Sequence, residues 1–338
     1  MKNTVVIFVL ISLFACESKD VKRDRFFIQG NEALKLRDYD KAVDYYTRAL
    51  NLDKDFSRAY NNRGVAHVEN GHPYEGIQDY NMAISLQDDY VDAIFNRAYA
   101  YEQVGRIEDA LEDVSEVQRI FPDSAYVYFY QGLLETKGRQ YELAMKSFRK
   151  AAELEPYDEE TEINLATLYF FKGDLDSAKI ILKNVLKTNP GQSSALNTIS
   201  QVYLAESDFQ NALITINQAL KLEPSEPYFL NNRGQVYLEM DSLNLAIEDI
   251  NNSILLDPEN PWSYRNKGVY YLKKGEPDQA IRLLETVVDQ PVFVDEVHAY
   301  LGAAYLAKGE KLKACESWLT GIDKHESKSL EYYEANCE

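Results

Sequence analysis

Small and hydrophobic residues recur along this chain at helical spacing and, over a longer range, every 34 residues. Within residues 39–50, Ala42, Tyr46, Ala49 and Leu50 stand at i, i+4, i+7 and i+8, which is one apolar face of a helix. Steps of 34 from Ala42 reach Gly76, Ala110, Ala144, Ala178, Ala212, Ala246, Ala280 and Ala314 without an insertion or deletion. Three further ladders run in phase. One is glycine at Gly30, Gly64, Gly132, Gly234, Gly268 and Gly302, with Ala98, Ala166 and Ser200 in the gaps; one is Tyr101, Tyr169, Tyr203, Tyr237, Tyr271 and Tyr305; one is Pro122, Pro156, Pro190, Pro224 and Pro258. A fixed period of this length predicts stacked supersecondary units.

Each ladder has a physical reason. Small residues on two successive helices let their backbones approach, and the tyrosines fill what is left of the interface. Proline ends the second helix, because it lacks an amide hydrogen and disfavours helix in the residue before it. Gly71, Gly105, Gly173, Gly275 and Gly309 fall between the paired helices, where a left-handed residue ends the first. The predicted repeats occupy 23–56, 57–90, 91–124, 125–158, 159–192, 193–226, 227–260 and 261–294, with a ninth from 295 to about 325. The ninth holds Trp318 where earlier repeats hold Tyr46 or Phe148. Residues 326–338 carry Leu330, Tyr333 and Cys337 on a helical stripe suited to a short capping helix.

These ladders resemble the tetratricopeptide repeat family, whose period is 34. The resemblance implies an all-α, right-handed superhelical solenoid of nine helix-turn-helix units. It implies a non-catalytic scaffold binding other proteins or peptides in a concave groove lined by the first helices. The ligand-facing places of that family fall on Phe95, Tyr99, Tyr126, Phe129, Phe170 and Phe171 in repeats three to five, and on Tyr228, Asn231, Gln235, Trp262 and Arg265 in repeats seven and eight. Aromatics and arginine carry most of the binding energy at interfaces, although an aromatic at helical spacing in a repeat protein is more often core than ligand contact. Family members that grip a C-terminal carboxylate use basic and amide side chains; the matching places here hold Phe27, Asn31, Asn62, Asp92 and Asn96, and the basic members are missing. Asn62, Asn96, Asn164, Asn232 and Asn266 recur on one rung, which points to a structural hydrogen bond.

Residues 1–15 stand apart. A short charged start and the apolar run from Val5 to Phe14 read as a secretory signal, too short to cross a bilayer. The run ends Leu13-Phe14-Ala15-Cys16, which resembles the lipobox of bacterial lipoproteins, although Phe14 replaces the usual small residue. That resemblance implies lipidation of Cys16, a polar tether over 16–22, and an outer-membrane lipoprotein of a Gram-negative envelope, periplasmic or surface-exposed. In an exported chain the two remaining cysteines, Cys315 and Cys337, are expected to pair.

Charge changes the picture of partners: 36 basic against 55 acidic residues give −19, a surface unsuited to phosphate backbones, so nucleic acid is not an expected partner. Chemistry adds little. There is no phosphate-binding glycine loop, H-E-x-x-H pair or nucleophile elbow, and no cofactor or metal is expected. His67 and His298 fall where other repeats hold core aromatics. The acids at 87–90 and 158–160 stand at repeat junctions, where they favour helix N-termini. A scaffold is the leading expectation. A recruiting subunit of an envelope enzyme or export complex, such as a cell-wall hydrolase, is the alternative, and an enzyme whose site carries no familiar motif is a third.

Overall fold

The computed structural model describes residues 18–290 and 292–337; the leader and Cys16 lie outside them. Among the described residues there are nineteen helices and no strand. The chain divides after Pro156 into two compact units. In the first, α1 (Lys19–Lys35) pairs with α2 (Tyr39–Leu52), α3 (Ser57–Glu69) with α4 (Pro73–Leu86), α5 (Val91–Gln103) with α6 (Ile107–Ile120), and α7 (Ala125–Lys137) with α8 (Tyr141–Leu154). In the second, the pairs are α9 (Glu159–Phe171) with α10 (Leu175–Thr188), α11 (Ser193–Ala205) with α12 (Phe209–Leu222), α13 (Pro227–Glu239) with α14 (Leu243–Leu256), α15 (Pro261–Lys273) with α16 (Pro277–Val288), and α17 (Val297–Ala307) with α18 (Lys311–Asp323); α19 (Ser327–Asn336) follows. The helix-turn-helix solenoid anticipated from the ladders is present in each unit. Its start differs: α1 begins at Lys19, inside the stretch read as tether, because the Ser18 hydroxyl accepts from the Val21 amide and caps it.

Every alanine of the first ladder, Ala42 through Ala314, is fully buried. The glycine ladder meets a large side chain sixteen residues later. A Cβ built on Gly30, Gly64, Gly132 or Gly302 would lie 2.5, 2.7, 2.8 and 2.3 Å from Tyr46, Tyr80, Phe148 and Trp318. Repeats that carry Ala98, Ala166 or Ser200 instead have the smaller Val114, Leu182 and Ile216 at that place, all buried. The tyrosine ladder packs into the interface as expected: Tyr101 is buried, and Tyr169, Tyr203, Tyr237, Tyr271 and Tyr305 are half-buried against the core, with a cation (Lys179, Arg233 and Lys313) over Tyr203, Tyr237 and Tyr305.

The turns keep one conformation whether or not glycine is there. Gly71, Gly105, Gly173, Gly275 and Gly309 have φ between 76° and 86°, and Arg37, Arg139, Ser207 and Asp241 take φ of 55–61° at the same repeat position. The next helix is then capped by aspartate where the sequence supplies it: Asp38, Asp174 and Asp208 accept from the amides of Lys41, Ser177 and Asn211.

At the C-terminal end, α17 and α19 exchange caps. The Glu326 carboxylate, beside the start of α19, accepts from the His298 and Ala299 amides of α17 at 3.2 and 2.9 Å. The Glu296 carboxylate, beside the start of α17, accepts from the Lys328 amide of α19. Trp318 donates to the Ala299 carbonyl at 3.0 Å and its ring packs on Tyr332. The structure joins Cys315 to Cys337 across α18 and α19, with Cα atoms 5.9 Å apart. A bridge closing a loop of sequence separation 22 stabilises by about 3 kcal/mol in the chain-entropy treatment. The variant Cys315→Ser/Cys337→Ser is therefore expected to unfold at lower denaturant, with the native protein in reductant matching it. Coincident curves for native and variant would leave α19 held by packing alone.

His298 supplies a pH test. Burial pushes its imidazole down to about 4, with the Lys324 charge adding to the effect. Because the folded value lies below the unfolded value near 6.5, the unfolded chain binds the extra proton. Stability from this group is full above pH 6.5 and is lost as pH falls toward 4, by about 2–3 kcal/mol. Burial raises the carboxyls of Glu296 and Glu326, which act in the opposite direction. The difference between native protein and His298→Gln in denaturant midpoints from pH 7 to 4 isolates the histidine, and the variant is expected to lose less.

Candidate functional site

Successive first helices touch one another, α1 with α3 and α3 with α5 in the first unit, and α9 through α19 in odd-numbered steps in the second. Between α5 and α7 the contact runs through side chains: Phe95 packs on Tyr126 and Tyr130, and Glu102 accepts from Tyr130 and Lys137. In the first unit a groove of about 380 Å³ runs over α3, α5 and α7, with Phe95 and Tyr126 on its walls, Asn61, Asp92 and Asn96 on its polar side, and Phe121 at one end. The Phe95 ring lies 5.6 Å from Tyr126 and 5.1 Å from Tyr130, both in the offset range that favours aromatic pairs. Tyr130 is buried and donates to Glu102 at 2.9 Å, which fixes the inner ring. Tyr126 is left 62% exposed and Tyr99 46%.

The remaining expected groove residues divide by environment. Phe129 is half-buried against Phe148, 5.7 Å ring to ring. In the second unit Phe170 packs against a core cluster beside the exposed Phe171. Tyr228 is exposed and pairs with Trp262 at 6.4 Å, and Gln235 is half-buried. Two expectations are corrected. Arg265 is buried, donates to the Asp295 carboxylate and carbonyl at 2.8 and 3.0 Å and to Asn266, and so holds the loop before α17 rather than offering a charge to a ligand. Asn231 is also buried, accepting from Asn266 at 2.8 Å. Trp262 donates to the same Asp295 at 3.1 Å.

The asparagine rung is a chain of amides between repeats. Asn62 donates to Asn31, Asn96 to Asn61, Asn232 to Asn197 and Asn266 to Asn231, at 2.8–3.1 Å. Asn164 departs, donating to the Glu160 carbonyl within its own helix. A second recurrent device went unread in the sequence. Arg63, Arg97 and Arg233 each clasp an aspartate sixteen residues on, Asp79, Asp113 and Asp249, through two bonds of 2.6–2.9 Å, and each also donates to the preceding repeat, at Thr47, Asn81 or Asn217. The signal was available as Asn-Asn-Arg-Gly at 61–64 and again at 231–234.

No group of acids, histidines or cysteines among the described residues could hold a metal ion, and no described helix is long and apolar enough to cross a membrane. What the arrangement offers is shape: exposed rings on a face of packed first helices.

A stack of helical hairpins with an open aromatic face defines a protein-interaction scaffold. The chain belongs to the tetratricopeptide repeat family: models described as TPR or tetratricopeptide repeat match residues 30–71, 95–159, 137–202, 193–226, 227–260 and 250–282. Among solved structures it is similar to a tetratricopeptide repeat protein from Parabacteroides merdae (16% identity, 84% of this chain and 98% of that one, TM-score 0.54). It is also similar to PilF of Pseudomonas aeruginosa (16%, 64% and 99%, 0.52) and to a chain of the APC/C hetero-tetramer Cut9–Hcn1 (18%, 85% and 55%, 0.59). These likenesses establish the fold. A search of curated protein sequences found no relative.

The arginine clasps predict a stability effect. Asp113 is 5% exposed, so Asp113→Ala strands the Arg97 charge and is expected to cost about 3–5 kcal/mol. Removing both charges in Arg97→Met/Asp113→Leu is expected to cost less, and chemical denaturation of the three proteins measures the ordering.

Proposed function

We propose that this protein is a non-catalytic scaffold of the bacterial cell envelope, anchored through a lipid on Cys16, that holds a partner protein or peptide against the aromatic face of α5 and α7. The observation that carries the reading is the placement of Tyr126 and Tyr99, large rings left in solvent beside Phe95 while the neighbouring Tyr130 is fixed from behind. Pre-set rings lose little freedom on binding and suit an apolar or aromatic side chain of a partner. The sequence around Cys16 supports the anchor, and outer-membrane attachment in a Gram-negative cell accounts for both the leader and the cysteine.

Two measurements test the two halves. Fractionation of cells is expected to find the native protein with membranes and Cys16→Ala in soluble or unprocessed form; equal partition would remove the anchor. Affinity capture from solubilised envelopes, followed by mass spectrometry, is expected to recover a discrete partner whose yield falls about ten-fold for Tyr126→Ala, with an unchanged melting temperature because the ring is exposed. A partner retained equally by Tyr126→Ala and Tyr99→Ala would place binding elsewhere.

A further inference from the structure

Two successive repeat junctions of the second unit share a pattern that no other junction has: Glu-Pro-Ser-Glu-Pro-Tyr at 223–228 and Asp-Pro-Glu-Asn-Pro-Trp at 257–262. In each, the second proline is the first residue of a first helix, α13 or α15, and the aromatic residue is the second. Proline at that place fixes the backbone angle in advance, so Tyr228 and Trp262 stand on pre-set helix starts. The last turn of α14 ties the two starts together: the Ser253 hydroxyl donates to the Pro227 carbonyl at 2.7 Å and lies 2.7 Å from the Ser263 hydroxyl. The rings are 6.4 Å apart and tilted by 56°, with Tyr228 exposed and Trp262 half-buried.

The surroundings of this pair are anionic. The two junction stretches hold four acids, Glu223, Glu226, Asp257 and Glu259, and no base. Asp257, one turn beyond Ser253, closes α14 beside the start of α13, and Glu226 stands directly before α13. Burial and then the Asp257 and Glu226 charges raise the Tyr228 hydroxyl above its usual value. Neither carboxylate is in an ion pair among the described residues. The arginines of α13 and α15 are already held, Arg233 by Asp249 and Arg265 by Asp295. The positive helix starts are also met from within, since Glu226 accepts from the Tyr228 amide at 3.4 Å and Asn260 from the Trp262 amide at 3.1 Å. In other repeats a cation of the chain lies over a tyrosine, as Lys179 does on Tyr203 and Lys313 on Tyr305; among the described residues none lies over Tyr228 or Trp262.

We propose that the Tyr228–Trp262 pair receives an arginine side chain of a partner protein. A guanidinium is planar and weakly hydrated, so it stacks on an aromatic face while its N–H groups donate to carboxylates. Tyr228 and Trp262 supply the face, and Asp257 and Glu226 the acceptors. An ammonium group satisfies the charge but not the stacking. The site is built from the second unit alone and does not rest on the reading of α5 and α7.

The chain has two tryptophans, and Trp318 is buried with its N–H donating to the Ala299 carbonyl, so the two indole N–H signals of the isotopically labelled full chain give a reporter and an internal reference. Titration with N-acetyl-arginine amide is expected to shift the Trp262 signal saturably and to leave Trp318 in place. N-acetyl-citrulline amide, of similar shape but uncharged, is expected to give no shift, and N-acetyl-lysine amide to bind about five-fold more weakly. Two variants are each expected to weaken the arginine probe about five-fold with unchanged circular dichroism: Tyr228→Leu, and Glu226→Gln/Asp257→Asn, which keeps the oxygens that cap the Tyr228 and Glu259 amides. A Trp262 signal that ignores the arginine probe, or follows citrulline or lysine equally, overturns the proposal. So does binding of the arginine probe that is the same in both variants as in the native protein.

Discussion

The structure rests on one contact repeated in each hairpin: a residue without a bulky side chain on the first helix against a large side chain sixteen residues later on the second. Gly132 against Phe148 and Gly302 against Trp318 show its tightness, since even one added carbon would overlap the ring. The fully buried alanines of the second helices complete the approach. Interiors packed to this density do not deform continuously. The distance within each hairpin is therefore set locally, and the 34-residue register follows from repeating it.

Stacking one hairpin on the next uses different means. Apolar residues form the bulk of the contact, but direction comes from polar groups that must find partners once buried. The asparagine chain links neighbouring first helices, and each arginine clasp joins an aspartate of its own hairpin to a polar side chain of the one before. These groups hold α1, α3 and α5 in register. Between α5 and α7 the rings themselves take part: Phe95 packs on Tyr126 and Tyr130, and Tyr130 and Lys137 donate to Glu102.

Much of this was legible in the sequence, for a physical reason. Helix pairing leaves a periodic trace, because the small residues at Ala42 and Gly30 are required in every repeat. The asparagine rung was readable as structural for the same reason. The groove was harder. Family positions are ligand-facing only on average, and whether Phe129 meets solvent depends on Phe148 from another helix. Arg265 was misread because Asp295, thirty residues away in a loop, reaches it. The proline ladder already breaks there: Val292 stands where a proline would, α16 has 12 residues and α17 has 11, and the longer loop is what delivers Asp295. The left-handed turns at Arg37 and Asp241 were invisible because only glycine advertises that conformation.

The exchange of caps between α17 and α19 has a consequence for how the chain folds. The carboxylate that satisfies the first amides of α17 belongs to Glu326, nearly thirty residues further on. Wherever the chain folds, the ninth hairpin therefore lacks this cap until the segment carrying that glutamate has reached it. Helices such as α2, α10 and α12, capped by an aspartate directly before them, need nothing from further along the chain. Completion of the last repeat is thereby tied to the segment beyond it, and a product truncated before Glu326 would leave the His298 and Ala299 amides without their carboxylate.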